Sequence, residues 1–176
     1  VSMVLAACGK DFLELEPRGT QLENSFYQTQ EELFQGLVAT YDVLQWGGTN
    51  GWTMKVGLLN AASDDCFAGG SDASDQPSWV AFDGFTLDPF LGPQSGLWNK
   101  YYSGIYRANL LLEKLEEASG IEEAFKARTA AEAKFLRAFF YFDLVRFFEN
   151  VPLITNTLAA DAIYTQVQAK SSEVYA

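Results

Sequence analysis

Between Leu97 and Ile154 the apolar residues recur in a pattern that two packed helices satisfy and little else does. Trp98, Tyr101, Ile105, Ala108, Leu112 and Leu115 follow one another at spacings of three and four. That spacing sets them on one stripe of a helix running from Leu97 to about Glu117. A second helix is predicted from Glu122 to about Glu149. It carries two stripes, Ala131, Phe135, Ala138, Phe142 and Val145 on one side and Ala133, Leu136, Phe140, Leu144 and Phe147 on another. A helix that is apolar on two sides needs packing partners on two sides. Ser119 followed three residues later by Glu122 reads as a capping box for the second helix, with Gly120 in the break between the two. The unit is an αα-hairpin, closed by Val151-Pro152-Leu153-Ile154.

The rest of the chain narrows the chemistry. There is no histidine, which removes Ser-His-Asp and Cys-His nucleophiles, the HExxH zinc site and any histidine acid or base. Two cysteines, Cys8 and Cys66, cannot build a disulfide scaffold or a cysteine-rich zinc site. Cys66 is expected to be a small buried hydrophobe. A formal net charge of −11 argues against phosphate backbones and anionic membrane surfaces, so no nucleic-acid partner is expected. With 14 Phe, 8 Tyr and 4 Trp in 176 residues the chain has the material for a real core.

Residues 1–8 end in Leu5-Ala6-Ala7-Cys8, an apolar run closing on small residues. This is how a secretory signal ends before its cleavage site, and it resembles the bacterial lipobox, in which the cysteine is lipidated. No run of about 18 apolar residues follows, so membrane attachment is expected through lipid on Cys8 alone. Residues 9–28 read as a polar tether. Thr29 with Glu32 forms another capping box and opens a helix with Leu33, Leu37, Tyr41 and Leu44 on one face. Glycines 47, 48 and 51 end it, and Met54 to Ala62 fits either a short helix or a strand. From Ser63 to Gly96 the chain is turn-rich, acidic and interleaved with Trp79, Phe82, Phe85 and Phe90, which reads as one long ordered loop. The segment after Thr155 is polar, and Ser171 to Ala176 looks like the start of a further helix. The expected domain limits are 1–8, 9–28 and 29–176, the last being the N-terminal part of a larger helical domain.

CGKDFLELEP at 8–17, Ser63-Asp64-Asp65, YYSGIYRANLLLEK at 101–114 and AEAKFLRAFFYFDLVRFF at 131–148, followed by Val151-Pro152-Leu153, together resemble the SusD/RagB family of nutrient-binding outer-membrane lipoproteins. The resemblance implies an all-α fold of tetratricopeptide-like helical hairpins. It also implies a non-catalytic lipoprotein, exposed on the outer membrane, that binds oligosaccharide and delivers it to a SusC-like TonB-dependent transporter. No cofactor and no metal are implied. A protein-binding tetratricopeptide scaffold, or a glycosidase, are the competing functions.

Sugar binding needs aromatic faces for the apolar faces of pyranose rings and polar groups for the hydroxyls. Trp79 and Phe82, with Asn60, Asp64, Asp65 and Asp83, supply both kinds in the 60–96 region and are the candidate ligand-binding residues. The same acids, with Asp72 and Asp75, lack the alternating pattern of an EF-hand. Arg107 and Arg137 are expected to bridge helices or stack on aromatic rings. Asp143 and Arg146, one helical turn apart, are expected to form an exposed pair contributing about 0.3–0.5 kcal/mol.

Overall fold

The computed structural model describes residues 26–47, 55–72, 74–88, 90–91 and 94–176. Cys8, the signal-like segment and the tether up to residue 25 lie outside the described residues, as do Gly48, Gly51 and Met54. Among the described residues six α-helices make the architecture: α1 (Gln30–Asp42), α2 (Lys55–Ala61), α3 (Pro77–Asp83), α4 (Gln94–Glu117), α5 (Glu123–Phe148) and α6 (Ser171–Tyr175). The fold is all-α, and the single β-bridge among the described residues joins Val151 to Ala169.

The α4–α5 hairpin is the centre, and its interface is the most extensive in the molecule. From α4 it buries Leu97, Tyr101, Ile105, Ala108, Leu111 and Leu115, and from α5 Ala133, Leu136, Phe140, Leu144 and Val145. Each large aliphatic or aromatic side chain sequestered this way contributes about 1.5–3 kcal/mol. The helices come close where Gly104 faces the ring of Phe140, because a Cβ at Gly104 would collide with that ring. Gly120 sits in the connection with φ of +73°, a left-handed conformation that glycine adopts without steric cost. The expected Ser119–Glu122 capping box does not form. Glu122 itself occupies the N-cap position with extended backbone and makes no side-chain cap, so Ser119 lies too far upstream to reach the first turn.

α1 packs on both helices of the hairpin. The Thr29–Glu32 capping box is present, with Glu32 N–H donating to Thr29 Oγ1 at 3.2 Å and Thr29 N–H donating to the Glu32 carboxylate at 2.9 Å. The buried stripe of α1 is Leu33, Gly36, Leu37 and Thr40, continued by Val43. Tyr41 and Leu44, expected on that face, are exposed instead. The helix tightens into a 3-10 turn at Val43–Gln45, which changes the angle between successive side chains. Tyr41 then reaches sideways to donate to Glu132 on α5 at 3.0 Å. At the end of the expected tether, Tyr27 packs on this core.

Polar side chains, from partly to fully buried, fix the remaining pieces. Arg107 donates to the Ala39 carbonyl, pairs with Asp42 at 3.2 Å and stacks 4.9 Å from the Trp46 ring, tying α4 to the end of α1. Arg137 donates to Asn109 Oδ1 at 2.7 Å and to the Thr155 carbonyl at 2.9 Å, so both arginines bridge elements as their surroundings suggested. Asp143 corrects an expectation. Its side chain is only 2% exposed and its partner is Lys55 of α2 at 2.8 Å, with Arg146 farther away at 3.8 Å. Helical spacing placed Arg146 nearby but could not show a lysine 88 positions upstream.

The strap after α5 is stitched down by side chains. The hydroxyls of Tyr102 and Tyr141 donate to the carbonyls of Pro152 (2.8 Å) and Ile154 (3.0 Å), and Ile154 N–H donates back to Tyr141 Oη at 2.6 Å. Asn109 donates to the carbonyls of Ile154 and Asn156, both at 3.1 Å, and Glu113 accepts from the backbone and hydroxyl of Thr157 at 2.6 Å.

Candidate functional site

The 60–91 region is carried on α2 and α3, which pack together beside the hairpin. It is not one continuous loop, since α3 forms within it, opened by Pro77 at the first helical position. Trp79 and Phe82 on α3 are partly buried and pack against the main core. They anchor the region to the scaffold and leave only part of each ring accessible.

Asparagine and aspartate side chains divide into two groups. Asp72 accepts from the amide (2.8 Å) and hydroxyl (2.5 Å) of Ser74, and those bonds hold its carboxyl below the usual carboxylate range. Asp75 accepts from Ser71 N–H at 3.1 Å, and Asp88 accepts from the amides of Phe90 (2.7 Å) and Leu91 (2.8 Å). These three shape turns, a common use of aspartate. Asp83 accepts from Ala68 N–H at 3.2 Å, clasping the stretch after α2 to the end of α3. Asn60, Asp64 and Asp65 are exposed, and the carboxylates of Asp64 and Asp65 have no hydrogen-bond or ion-pair partner among the described residues. No three acidic or sulfur side chains converge as metal ligands among the described residues.

Three phenylalanines stand out that sequence reasoning did not select. Phe67, Phe85 and Phe90 are 92%, 78% and 98% exposed. The Ala68–Asp83 clasp brings together the segments that carry Phe67 and Phe85, one residue and two residues away from it. Phe85 also holds φ of +52°, a region a non-glycine residue occupies rarely. The available signal was local: Phe67 precedes Ala68-Gly69-Gly70 and Phe85 follows Gly84, so neither has helical neighbours to bury it. Cys66, expected in the core, is exposed on the same stretch, beyond the end of α2 at Ala61.

A helical scaffold bearing an aromatic, acidic surface segment is the class that the fold and this region define. The chain belongs to the SusD-like family, whose description is "Starch-binding associating with outer membrane" and whose profile matches residues 11–176. A SusD-like protein of Formosa agariphila is 31% identical over 170 residues, covering 95% of this chain and 32% of the relative. A solved laminarin-binding SusD-like protein is 43% identical with a TM-score of 0.77, covering 85% of this chain and 32% of its own. Surface glycan-binding protein A from Bacteroides thetaiotaomicron, solved in complex with laminarihexaose, is 26% identical with a TM-score of 0.72. It is matched over 82% of this chain and 29% of its own. The chain thus spans about a third of the length of these relatives, and its α4–α5 hairpin is of their tetratricopeptide-like kind.

Proposed function

We propose that this chain is the ligand-capturing N-terminal portion of a cell-surface glycan-binding lipoprotein. It binds neutral oligosaccharide without cleaving it and passes it to a SusC-like TonB-dependent transporter, anchored to the outer membrane by lipid on Cys8. The observation that carries the reading is the exposure of Phe67 and Phe85, which follow α2 and α3 in the two segments joined by the Ala68–Asp83 hydrogen bond, with the unpaired carboxylates of Asp64 and Asp65 on the same segment as Phe67. Rings offer stacking surfaces for pyranose faces, and carboxylates and the Asn60 amide accept and donate to hydroxyls. Trp79, Phe82 and Asp83 serve the same site by positioning that surface, with their accessible edges at its margin. Solved relatives that bind laminarin and laminarihexaose support a glucan as the ligand.

Affinity electrophoresis in gels containing soluble glucans tests this directly. Retarded migration is expected, with no reducing ends released from the polysaccharide. Hydrolysis that disappears in Asp64→Asn or Asp65→Asn would establish a glycosidase instead. Unretarded migration in every glucan, combined with co-purification of a transporter, would establish a protein-binding scaffold.

A further inference from the structure

A groove on the flank of α4, beside the hairpin interface and under the strap that follows α5, has the makings of a second sugar site. We propose that it binds a neutral oligosaccharide, independently of the 60–91 region; the ligand class rests on the glycan-binding reading above. Its floor is a ladder of aromatic rings on one stripe of α4, Trp98, Tyr102 and Tyr106, and its far wall is the strap that follows α5. The cavity measures about 430 Å³. The first two rungs, Trp98 and Tyr102, have ring centroids 4.7 Å apart and so make one continuous aromatic surface on the scale of a pyranose.

Charge selects the ligand. The chain carries 35 acidic and basic residues, yet not one charged side chain lines this groove. The other large clefts among the described residues each contain several: Lys134, Arg137 and Glu173 in one, Lys55, Lys100 and Asp143 in another. An uncharged wall of rings and carboxamides suits a ligand that has apolar faces and hydroxyls but no charge, and it offers nothing to a phosphate, a uronate or a basic peptide.

The hydrogen-bonding capacity is also unspent. Trp98 is half-buried between Tyr102 and Phe148, with ring centroids 4.7 and 5.1 Å away, and its indole N–H has no acceptor among the described residues. The Tyr106 hydroxyl likewise has no partner there, and its ring is half-exposed. Across the groove, Asn156 and Gln166 each spend a side-chain N–H on a nearby carbonyl, at 2.8 and 3.0 Å, leaving their amide oxygens as acceptors. Buried Asn109 holds the strap in place beneath them. Donors on one wall and acceptors on the other match vicinal hydroxyls, which do both at once.

The test is fluorine NMR on the full chain labelled with 5-fluorotryptophan, the Trp98 resonance being assigned with Trp98→Phe. Laminarihexaose, maltohexaose and a uronan hexamer are the titrants. A saturable shift of Trp98 is expected with at least one neutral hexaose and none with the uronan. Tyr106→Ala should weaken that titration about tenfold, the loss of one stacking partner and its hydroxyl. A Trp98 resonance unmoved by both neutral hexaoses, or moved equally by the uronan, or insensitive to Tyr106→Ala, overturns the proposal. If Trp98 stays still while glucan gels still retard the chain, the groove fails and the 60–91 reading stands. If the Phe67→Ala/Phe85→Ala double variant is retarded like wild type while Trp98 shifts, the groove stands and the 60–91 assignment fails.

Discussion

Asp143 shows how one side chain can organise several elements. Its carboxylate receives both Lys55 contacts, at 2.8 and 3.0 Å, from inside the core, and so secures α2 against α5. Removing one member of a buried pair leaves the other desolvated, so Asp143→Ala should cost about 3 kcal/mol in urea unfolding. A loss below about 1 kcal/mol would mean that Lys55 simply turns to water. The buried tyrosines set the alkaline limit. Burial, then the charge of Asp143, pushes the Tyr101 hydroxyl above its usual 10.0, and burial, then Tyr141, does the same for Tyr102. Above about pH 10 the unfolded chain releases these protons while the folded chain keeps them, so stability falls as pH rises. Lys100 acts in the opposite sense. Burial lowers its value, so it releases its proton first in the folded state, and the resulting gain ends near 10.5. With Tyr141 also raised by burial, three tyrosines outweigh one lysine. Melting temperatures taken from about pH 8 to about pH 12 should therefore decline past pH 10, less steeply in Tyr102→Phe; a flat profile would contradict the burial of these hydroxyls.

At the scale of elements, α4 and α5 were legible because a long amphipathic pattern leaves few alternatives. The stripe ending Phe140-Leu144 is the one that is buried, while Phe135 and Phe142 on the second stripe face outward. Periodicity identifies an apolar face but not whether anything covers it. Thr29–Glu32 was readable as a cap because both bonds are local, whereas Ser119–Glu122 had the right residues on the wrong side of the helix start. The site divided along the same line. Trp79 and Phe82 drew attention as aromatic residues, but a three-turn pattern in the hairpin says nothing about the short α3 that turns them towards the core. Phe67 and Phe85 were hard to pick out because exposure of an isolated ring follows from a clasp, Ala68 to Asp83, between positions 15 apart. Gly104 carries an element-level prediction. Alanine has the higher helix propensity, but its methyl would enter the Phe140 ring, so Gly104→Ala should destabilise by about 1–3 kcal/mol. A stabilised variant in thermal melts would show that the hairpin can open there at no cost.

Across the whole molecule, aromatic surface lies in two electrostatic settings. The chain carries a formal charge of −11, and the rings of the 60–91 region stand among acidic side chains, whereas the groove along α4 is lined by uncharged residues alone. Phe135, Phe139 and Phe142 of α5, with Leu153 of the strap and Tyr175 of α6, form another exposed apolar face, in a chain that spans about a third of its relatives' length. The packed hairpin of α4 and α5, with its stitched strap, gives the short helices and turns of the 60–91 region a base to stand on. The central claim is that Phe67 and Phe85 provide the stacking surface for glycan. Calorimetric titration of laminarihexaose into wild type, Phe67→Ala, Phe85→Ala and the double variant tests it most directly. Both side chains are exposed, so the far-ultraviolet spectrum and unfolding midpoint should not change. Each single variant should weaken binding at this site about five- to tenfold, the worth of one aromatic contact, and the double variant should abolish it there. Equal affinity across all four proteins would contradict the account.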